Sequence, residues 1–251
     1  MRRLEGKTAV VTGAAGGIGA RVAAMLGDQG CFVTGVDRGQ AEECPANVPT
    51  DLADAGQLAA LAEQLAAAPP DILVNVAGIA RFGLHEAQTG DDVALCYQVN
   101  LVAPALLARA VAGPMRARGS GQIVNIGSVL GAIPYPWFAA YSSSKAGLAA
   151  LSQGLRRELA GSGVSVTHIS PRAAKTPFND GQINRFLTLM GMTADDPELV
   201  ARAIVGAIIA KRPHLTIGIK ERFYCAVNAL APGLIDSGLA GPIRRARIEF
   251  S

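Results

Sequence analysis

The sequence predicts an α/β fold: a single doubly wound parallel sheet with helices on both faces. Three observations carry this. Short β-branched apolar runs alternate with helical patterns from end to end, the arrangement of βαβ units whose strands are buried from both sides. No internal repeat, low-complexity run or long linker divides the chain. Its 251 residues are 50% hydrophobic, enough to bury a large core without a disulfide or metal staple. One domain over residues 1–251 is therefore expected.

The elements follow in order. Residues 7–12 (KTAVVT) read as a buried strand, followed by a Gly-rich turn and a helix over 17–29. Residues 31–36 are the second strand. An Ala/Leu-rich helix spans 54–68 and ends at Pro69-Pro70. Residues 71–75 form the third strand. A long helix is expected over 91–118, with Pro104 and Pro114 as points where it bends or shortens. Residues 122–126 are a strand, and 138–161 a helix that stops at Gly-Ser-Gly. Residues 164–169 are a strand, 197–211 a helix and 214–217 a short strand. Residues 222–231 look helical and apolar-rich. Pro232-Gly233 breaks that pattern, and Arg244, Arg245 and Arg247 follow.

Composition excludes several classes. The formal net charge is +3, too small an excess for a dedicated nucleic-acid binder with its clustered basic charge. Cys31, Cys44, Cys96 and Cys225 are scattered with no CxxC pair, so reduced thiols are expected rather than a zinc site or a redox dithiol. His85, His168 and His214 are isolated, His168 within a strand pattern, and no carboxylate or histidine shows ligand spacing, so no metal site is expected. Arg2 and Arg3 precede an apolar run, 9–11, too short for a signal peptide. The longest apolar stretch read from the sequence, 199–210, is interrupted by Arg202 and falls below the ~20 residues that span a bilayer. A cytoplasmic location is the expectation.

Ligands of doubly wound sheets sit at the carboxyl ends of the strands. There the first strand runs into Thr12-Gly-Ala-Ala-Gly-Gly-Ile-Gly19. Gly13, Gly17 and Gly19 allow a tight turn and close approach to a pyrophosphate, and the helix that follows offers free N–H groups and its positive dipole end. The alternative is a plain strand–helix connection. Asp37, at the end of the second strand, can accept hydrogen bonds from an adenosine ribose and would repel a 2′-phosphate. Gly16 leaves no basic side chain in the loop to offset that. Arg38 is the contrary feature, since it could pair with a phosphate. Asp51 could bond an adenine amino group or simply cap the next helix.

Tyr141 and Lys145 lie four residues apart, on one helix face. An ammonium beside a phenol favours the phenolate and so would lower the tyrosine pKa towards neutrality, where it can exchange a proton with an alcohol or ketone. Ser128 lies just past a strand's carboxyl end. Alone, each has a bland reading: a surface pair, a loop serine.

Together, Thr12-Gly-x-x-x-Gly-Ile-Gly19, Asn75-Val-Ala-Gly78, Asn100, Ser128 and Tyr141-x-x-x-Lys145 resemble the short-chain dehydrogenase/reductase family over residues 4 to about 180. The resemblance implies a Rossmann-type sheet, a nicotinamide cofactor and an Asn100–Ser128–Tyr141–Lys145 tetrad. Tyr141 would be the general acid/base, with Lys145 lowering its pKa and holding the nicotinamide ribose. Ser128 would bond the substrate oxygen, and Asn100 would help hold a water linking Lys145 to solvent. Asn75 would support the sheet beside the cofactor. Ile18, Leu52, Ala77, Gly78, Ala174 and Thr176 would add cofactor contacts. The short segment between Asp37 and Asp51 resembles members lacking a full helix there, such as 2,3-dihydro-2,3-dihydroxybenzoate dehydrogenases.

Two departures stand out. The family's Pro-Gly after the sixth strand is here Pro171-Arg172, which brings either a cation for an anionic substrate or phosphate, or an outward-pointing arginine. From about residue 177 the chain is variable. Residues 178–192, with Phe186, Leu187, Leu189, Met190 and Met192, would line a pocket for a hydrophobic alcohol or be ordinary core. Residues 220–251 would touch lipid, form a lid, or pack on their own domain or a dimer mate. The expected function is hydride transfer between NAD(H), favoured over NADP(H), and an apolar secondary alcohol or ketone, in a homodimer or homotetramer. The rivals are an NADP(H)-dependent 3-oxoacyl or 3-oxo-lipid reductase and, more remotely, a non-catalytic dinucleotide sensor.

Overall fold

A computed structural model of the chain describes residues 2–179 and 181–250. Its strands are β1 (Thr8–Thr12), β2 (Phe32–Asp37), β3 (Ala46–Pro49), β4 (Ile72–Asn75), β5 (Gly121–Ile126), β6 (Val164–Ser170) and β7 (His214–Thr216). They form one sheet in the order β3-β2-β1-β4-β5-β6-β7, and every pairing is parallel. The chain winds outward from β1 to one edge and then from β4 to the other. The order therefore reverses between β1 and β4, which opens a crevice at their carboxyl ends.

The helices are α1 (Gly17–Asp28), α2 (Ala55–Ala67), α3 (Gly90–Tyr97), α4 (Ala103–Arg118), α5 (Ala139–Glu158), α6 (Gly181–Leu189), α7 (Pro197–Ile209), α8 (Ile219–Leu230) and α9 (Pro232–Phe250). Strand side chains alternate between two aliphatic layers. Ala9, Val11, Val74 and Val124 face Val22 and Leu26 of α1 and Ile204 and Ile208 of α7. Val10, Leu73 and Ile123 face Leu58 and Leu61 of α2 and Leu107 and Val111 of α4. The polar ends are built locally. Asp54 caps α2 by accepting from the Gln57 amide, Asp196 caps α7 ahead of Pro197, and α4 stops at Gly119 in the left-handed region, φ 72°, where glycine carries no Cβ penalty.

Several details differ from the sequence reading. No strand is expected between residues 37 and 51, yet Ala46–Pro49 form β3, paired in parallel with β2. The long helix is interrupted by a π-helical turn, Gln98–Val102. Pro104 falls in the first turn of α4 and Pro114 inside it. The helical stretch Gly90–Arg118 is apolar enough by length and composition to cross a membrane, which the 199–210 stretch is not. In the fold it is a core helix, with Ala103, Leu107, Ala108, Val111 and Met115 fully buried. Pro232 does not merely end one helix but starts α9, since a first-turn proline forfeits no helical hydrogen bond.

Candidate active site

The glycine loop lies between β1 and α1, at the switch point. Gly13 has φ 72°, and a Cβ there would sit 2.8 Å from the Ala77 Cα. A Cβ on Gly19 would sit 2.0 Å from the Gly13 carbonyl oxygen. Both positions therefore demand glycine. A Cβ on Gly16 would meet open space, so the loop is accessible from outside. No side chain caps the N-terminus of α1, which leaves its first N–H groups to an anion. Ile18 continues this turn and packs partly on the aliphatic layer. These residues fit a dinucleotide pyrophosphate.

Asp37, the last residue of β2, reaches this loop. Its carboxylate accepts from the Ala15 amide at 3.1 Å and from the Gly39 amide at 3.3 Å, so it braces the loop and retains lone pairs for a ribose. Arg38 is exposed. Residues between β2 and β3 carry turns and no full helix. Asp51 does not cap α2. It accepts from the Ala53 amide at 2.9 Å, and Asp54 holds the cap three residues on. Leu52 is buried in the layer with Val36 and Leu58, so a cofactor contact there would have to come from its main chain.

On the other side of the crevice Thr12 accepts from the amides of Val76 and Ala77, turning the Asn75–Gly78 segment past the glycine loop. A Cβ on Gly78 would lie 3.1 Å from Asn100 Oδ1 and 3.3 Å from Lys145 Nζ, so this segment touches both. Thr176 closes the far side: its Cγ2 lies 3.2 Å from a Cβ placed on Gly17. Ala174 is buried, and its carbonyl accepts from Asn179 Nδ2 and from the Thr176 amide.

All four tetrad residues converge, Ser128 at the end of β5, Asn100 in the π turn, and Tyr141 and Lys145 on α5. Asn100 Oδ1 accepts from the Ile79 amide at 2.9 Å, while its Nδ2 donates to the Ile79 carbonyl at 2.9 Å and to Ser144 Oγ at 3.1 Å. Its side chain is thus engaged with protein groups rather than with Lys145. Turns like the π turn that carries it are frequent at functional sites. Lys145 Nζ donates to the Ile126 carbonyl at 3.0 Å. Ser128 accepts from the Leu130 amide and shares a hydrogen bond with Tyr141.

One expectation is corrected. Lys145 does not lower the Tyr141 pKa in this structure. Burial pushes the phenol up to about 12, against the hydrogen bond from Ser128. Lys145 Nζ sits 5.9 Å from the tyrosine ring centroid, aimed at a carbonyl instead, and burial pulls it down to about 8. Desolvation outweighs a charge that is not in contact.

A polar chain through the core positions α5, and the sequence reading passed over most of it. Asn75 Nδ2 donates to Asn125 Oδ1 at 2.8 Å, and Asn125 Nδ2 to Ser152 Oγ at 2.9 Å. Ser152 lies 3.3 Å from His168 Nδ1. Ser152 is seven residues beyond Lys145, on the same face of α5. Asn75 thus ties β4 to β5, and His168 is a neutral core residue, its pKa pulled down to about 3 by burial.

Above the tetrad the wall is aromatic. Trp137, Phe138, Tyr141 and Phe186 pack with Phe82 and Phe250, with Phe82–Phe250 centroids 5.1 Å apart and Phe82–Phe138 5.2 Å. Phe178 stands 6.0 Å from the Tyr141 ring. Trp137 adopts φ 65°, a strained conformation for a bulky residue. Phe186 and Leu187 are buried here, with Met190 and Met192 packed partly against the cluster. Trp137 and Phe250 were missed, because no periodic pattern links rings so far apart in the chain. Arg172 is neither a free cation nor outward-pointing: it forms ion pairs with Asp195 and, at 3.1 Å, Glu221. Among the described residues no cluster of His, Cys, Asp or Glu is placed to hold a metal ion.

Comparison with known proteins agrees with this geometry. A family model described as short chain dehydrogenase matches residues 7–185. Ketoacyl reductase HetN of Nostoc sp. is 31% identical, over 94% of this chain and 89% of its own. A solved 4-hydroxyisoleucine dehydrogenase complexed with NADH superposes with TM-score 0.74 at 27% identity, covering 84% of this chain and 96% of that one. A Beutenbergia cavernae structure, described as an NAD(P)-dependent gluconate 5-dehydrogenase with NADP at low occupancy, superposes with TM-score 0.75 at 30% identity, covering 85% and 95%.

Proposed function

The chain belongs to the short-chain dehydrogenase family, and from that premise we propose that it catalyses hydride transfer between NAD(H) and an apolar secondary alcohol or its ketone. The observation that carries the substrate class is the aromatic wall over Tyr141, together with an Arg172 already neutralised by Asp195 and Glu221. Such a wall suits a ring or acyl chain better than a sugar or an anion.

When bound, the nicotinamide supplies the hydride donor or acceptor. The chain's own groups handle the oxygen. Ser128 and Tyr141 hydroxyls bond the substrate oxygen. Tyr141, which keeps its proton at neutral pH, delivers it to that oxygen in the reductive direction and recovers it in the oxidative one. Lys145, protonated below about pH 8, would hold the nicotinamide ribose. The Gly13–Gly19 loop would hold the pyrophosphate and Asp37 the adenosine ribose.

Asp37 supports NAD(H) because a carboxylate at the end of β2, bonded to the glycine loop, would repel a 2′-phosphate. The exposed Arg38 and the ketoacyl reductase relative favour the second reading, an NADP(H)-dependent 3-oxoacyl reductase. Titration with NADH and NADPH, followed by nicotinamide fluorescence, separates them. Tighter NADH binding upholds the first and calls for an oxidation screen of apolar secondary alcohols. Tighter NADPH binding overturns it and directs the screen to 3-oxoacyl substrates.

A further inference from the structure

Helix α8 is amphipathic in the inverted sense. Two of its polar side chains face the protein: Glu221 pairs with Arg172, just past the end of β6, and Asn228 Nδ2 donates to the Ala132 carbonyl at 2.8 Å, four residues past Ser128. Its apolar side chains face outward. Ile219 and Leu230 are each 87% exposed and Phe223 65%, and Ala226 between them is exposed as well. At ~100° per residue these four positions fall within an arc of ~60°. Leu234, at the start of α9, extends the patch at 68% exposure. Contiguous outward apolar surface of this kind marks an interaction site.

The flanking charges identify the partner. On the same helical projection, Lys220 borders the stripe on one side and Arg222 on the other. Both are exposed, as are Arg244, Arg245 and Arg247 of α9. Of the acids in these helices, Glu221 and Glu249 are turned into ion pairs with Arg172 and Arg185, and Asp236 is exposed. A two-fold pairing of α8 with a second copy would bury stripe against stripe, but it would bring Lys220 and Arg222 to a helix whose one acid already faces inward. An anionic lipid surface answers both features: acyl chains take the stripe and headgroups take the cations. At ~18 Å, twelve residues at ~1.5 Å each, the helix lies in the interface and does not span it.

We propose that α8 docks this protein flat on an anionic membrane surface. Because Glu221 and Asn228 tie it to segments leaving β6 and β5, the docked helix holds the catalytic cleft beside the lipid. The test is co-sedimentation of the full chain with vesicles of phosphatidylcholine alone or mixed with phosphatidylserine. Pelleting with the mixed vesicles, diminishing as salt rises, is expected. Ile219→Asp with Phe223→Asp should abolish it. Lys220→Gln and Arg222→Gln should each weaken it about fivefold. All four sites are exposed, and the lipid and salt comparison on the unaltered chain needs no variant. Failure of the unaltered chain to pellet overturns the proposal. So does a fall in particle mass by light scattering on Phe223→Asp, which would show that a second copy covers the stripe. Neither readout depends on the catalytic reading.

Discussion

The two aliphatic layers and the aromatic cluster are both buried, yet they are built on different rules. The layers are made of Val, Leu, Ile, Ala, Met and Cys, placed by the two-residue period of strands and the helical period of α1, α2, α4 and α7. The cluster gathers Phe82, Trp137, Phe138, Phe186 and Phe250 from four distant segments, packed edge to face or tilted, with one stacked pair. Aliphatic side chains fill a regular slot between sheet and helix. Rings fill the irregular space where loops and the terminal helix meet over the tetrad. The layers therefore hold the fold, and on the proposed function the cluster shapes what reaches Tyr141.

The largest effect that sharpens this contrast comes from one oxygen inside the cluster. Tyr141→Phe keeps the ring and its packing. Turnover should fall about 1,000-fold, within the range for removing a general acid/base, while NADH binding measured by fluorescence and the thermal midpoint stay near those of the unaltered chain. Near-normal turnover would show that another group moves the proton.

Next comes a paired truncation. Leu107→Ala in the aliphatic layer and Phe250→Ala in the cluster should each cost about 3 kcal/mol of unfolding free energy in urea. They should differ in kinetics. Leu107→Ala should leave KM for an apolar alcohol unchanged at a temperature where it is folded, whereas Phe250→Ala should raise it several-fold. Equal KM values would break the division of labour between the two regions.

This division also explains what could be read from the chain. Gly13 and Gly19 were legible because the backbone there leaves no room for a Cβ, and Asp37 by its place at the end of the second strand. Tyr141 and Lys145 were legible by spacing, but their protonation was not: a four-residue interval puts two side chains on one face and says nothing of desolvation or of the Ile126 carbonyl that claims the ammonium. Asp51 and Asp54 both precede α2, and only the backbone decides which one caps it. Pro232-Gly233 reads as a break, although the same pair can open a helix. Phe250 and Trp137 meet across more than a hundred residues of chain, and no local pattern announces that contact. Arg172 looked like a lone cation because Asp195 and Glu221 are far from it in sequence.

A smaller effect tests whether cofactor choice belongs to the sheet half alone. Asp37→Ser retains a hydrogen-bonding oxygen for the loop and removes the charge. The ratio of NADPH to NADH affinity should rise about tenfold, the ~1.4 kcal/mol expected for one relieved repulsion near the surface. Turnover at saturating cofactor should change little, because Asp37 is remote from the tetrad. An unchanged ratio would make Arg38 the discriminator.

An effect no larger concerns the polar exception within the aliphatic half. His168 is buried against Ser152 and stacks on His214 with centroids 5.8 Å apart, and burial, with the neighbouring His214 and Lys145, pulls its pKa down to about 3. Its unfolded value lies near 6.5. Above that value neither state holds the proton, and the group adds no pH dependence. Below it the unfolded chain takes up a proton the folded chain refuses, so stability falls as pH drops from 6.5 towards 3. By pH 5.5 the loss from this one group should be about 1.4 kcal/mol. Urea unfolding at pH 7.5 and 5.5 measures it, and His168→Gln should flatten the difference whatever its effect on absolute stability. A slope unchanged by that substitution would mean that the imidazole titrates in the folded core near its unfolded value, and that Ser152 and the surrounding core do not exclude its charged form.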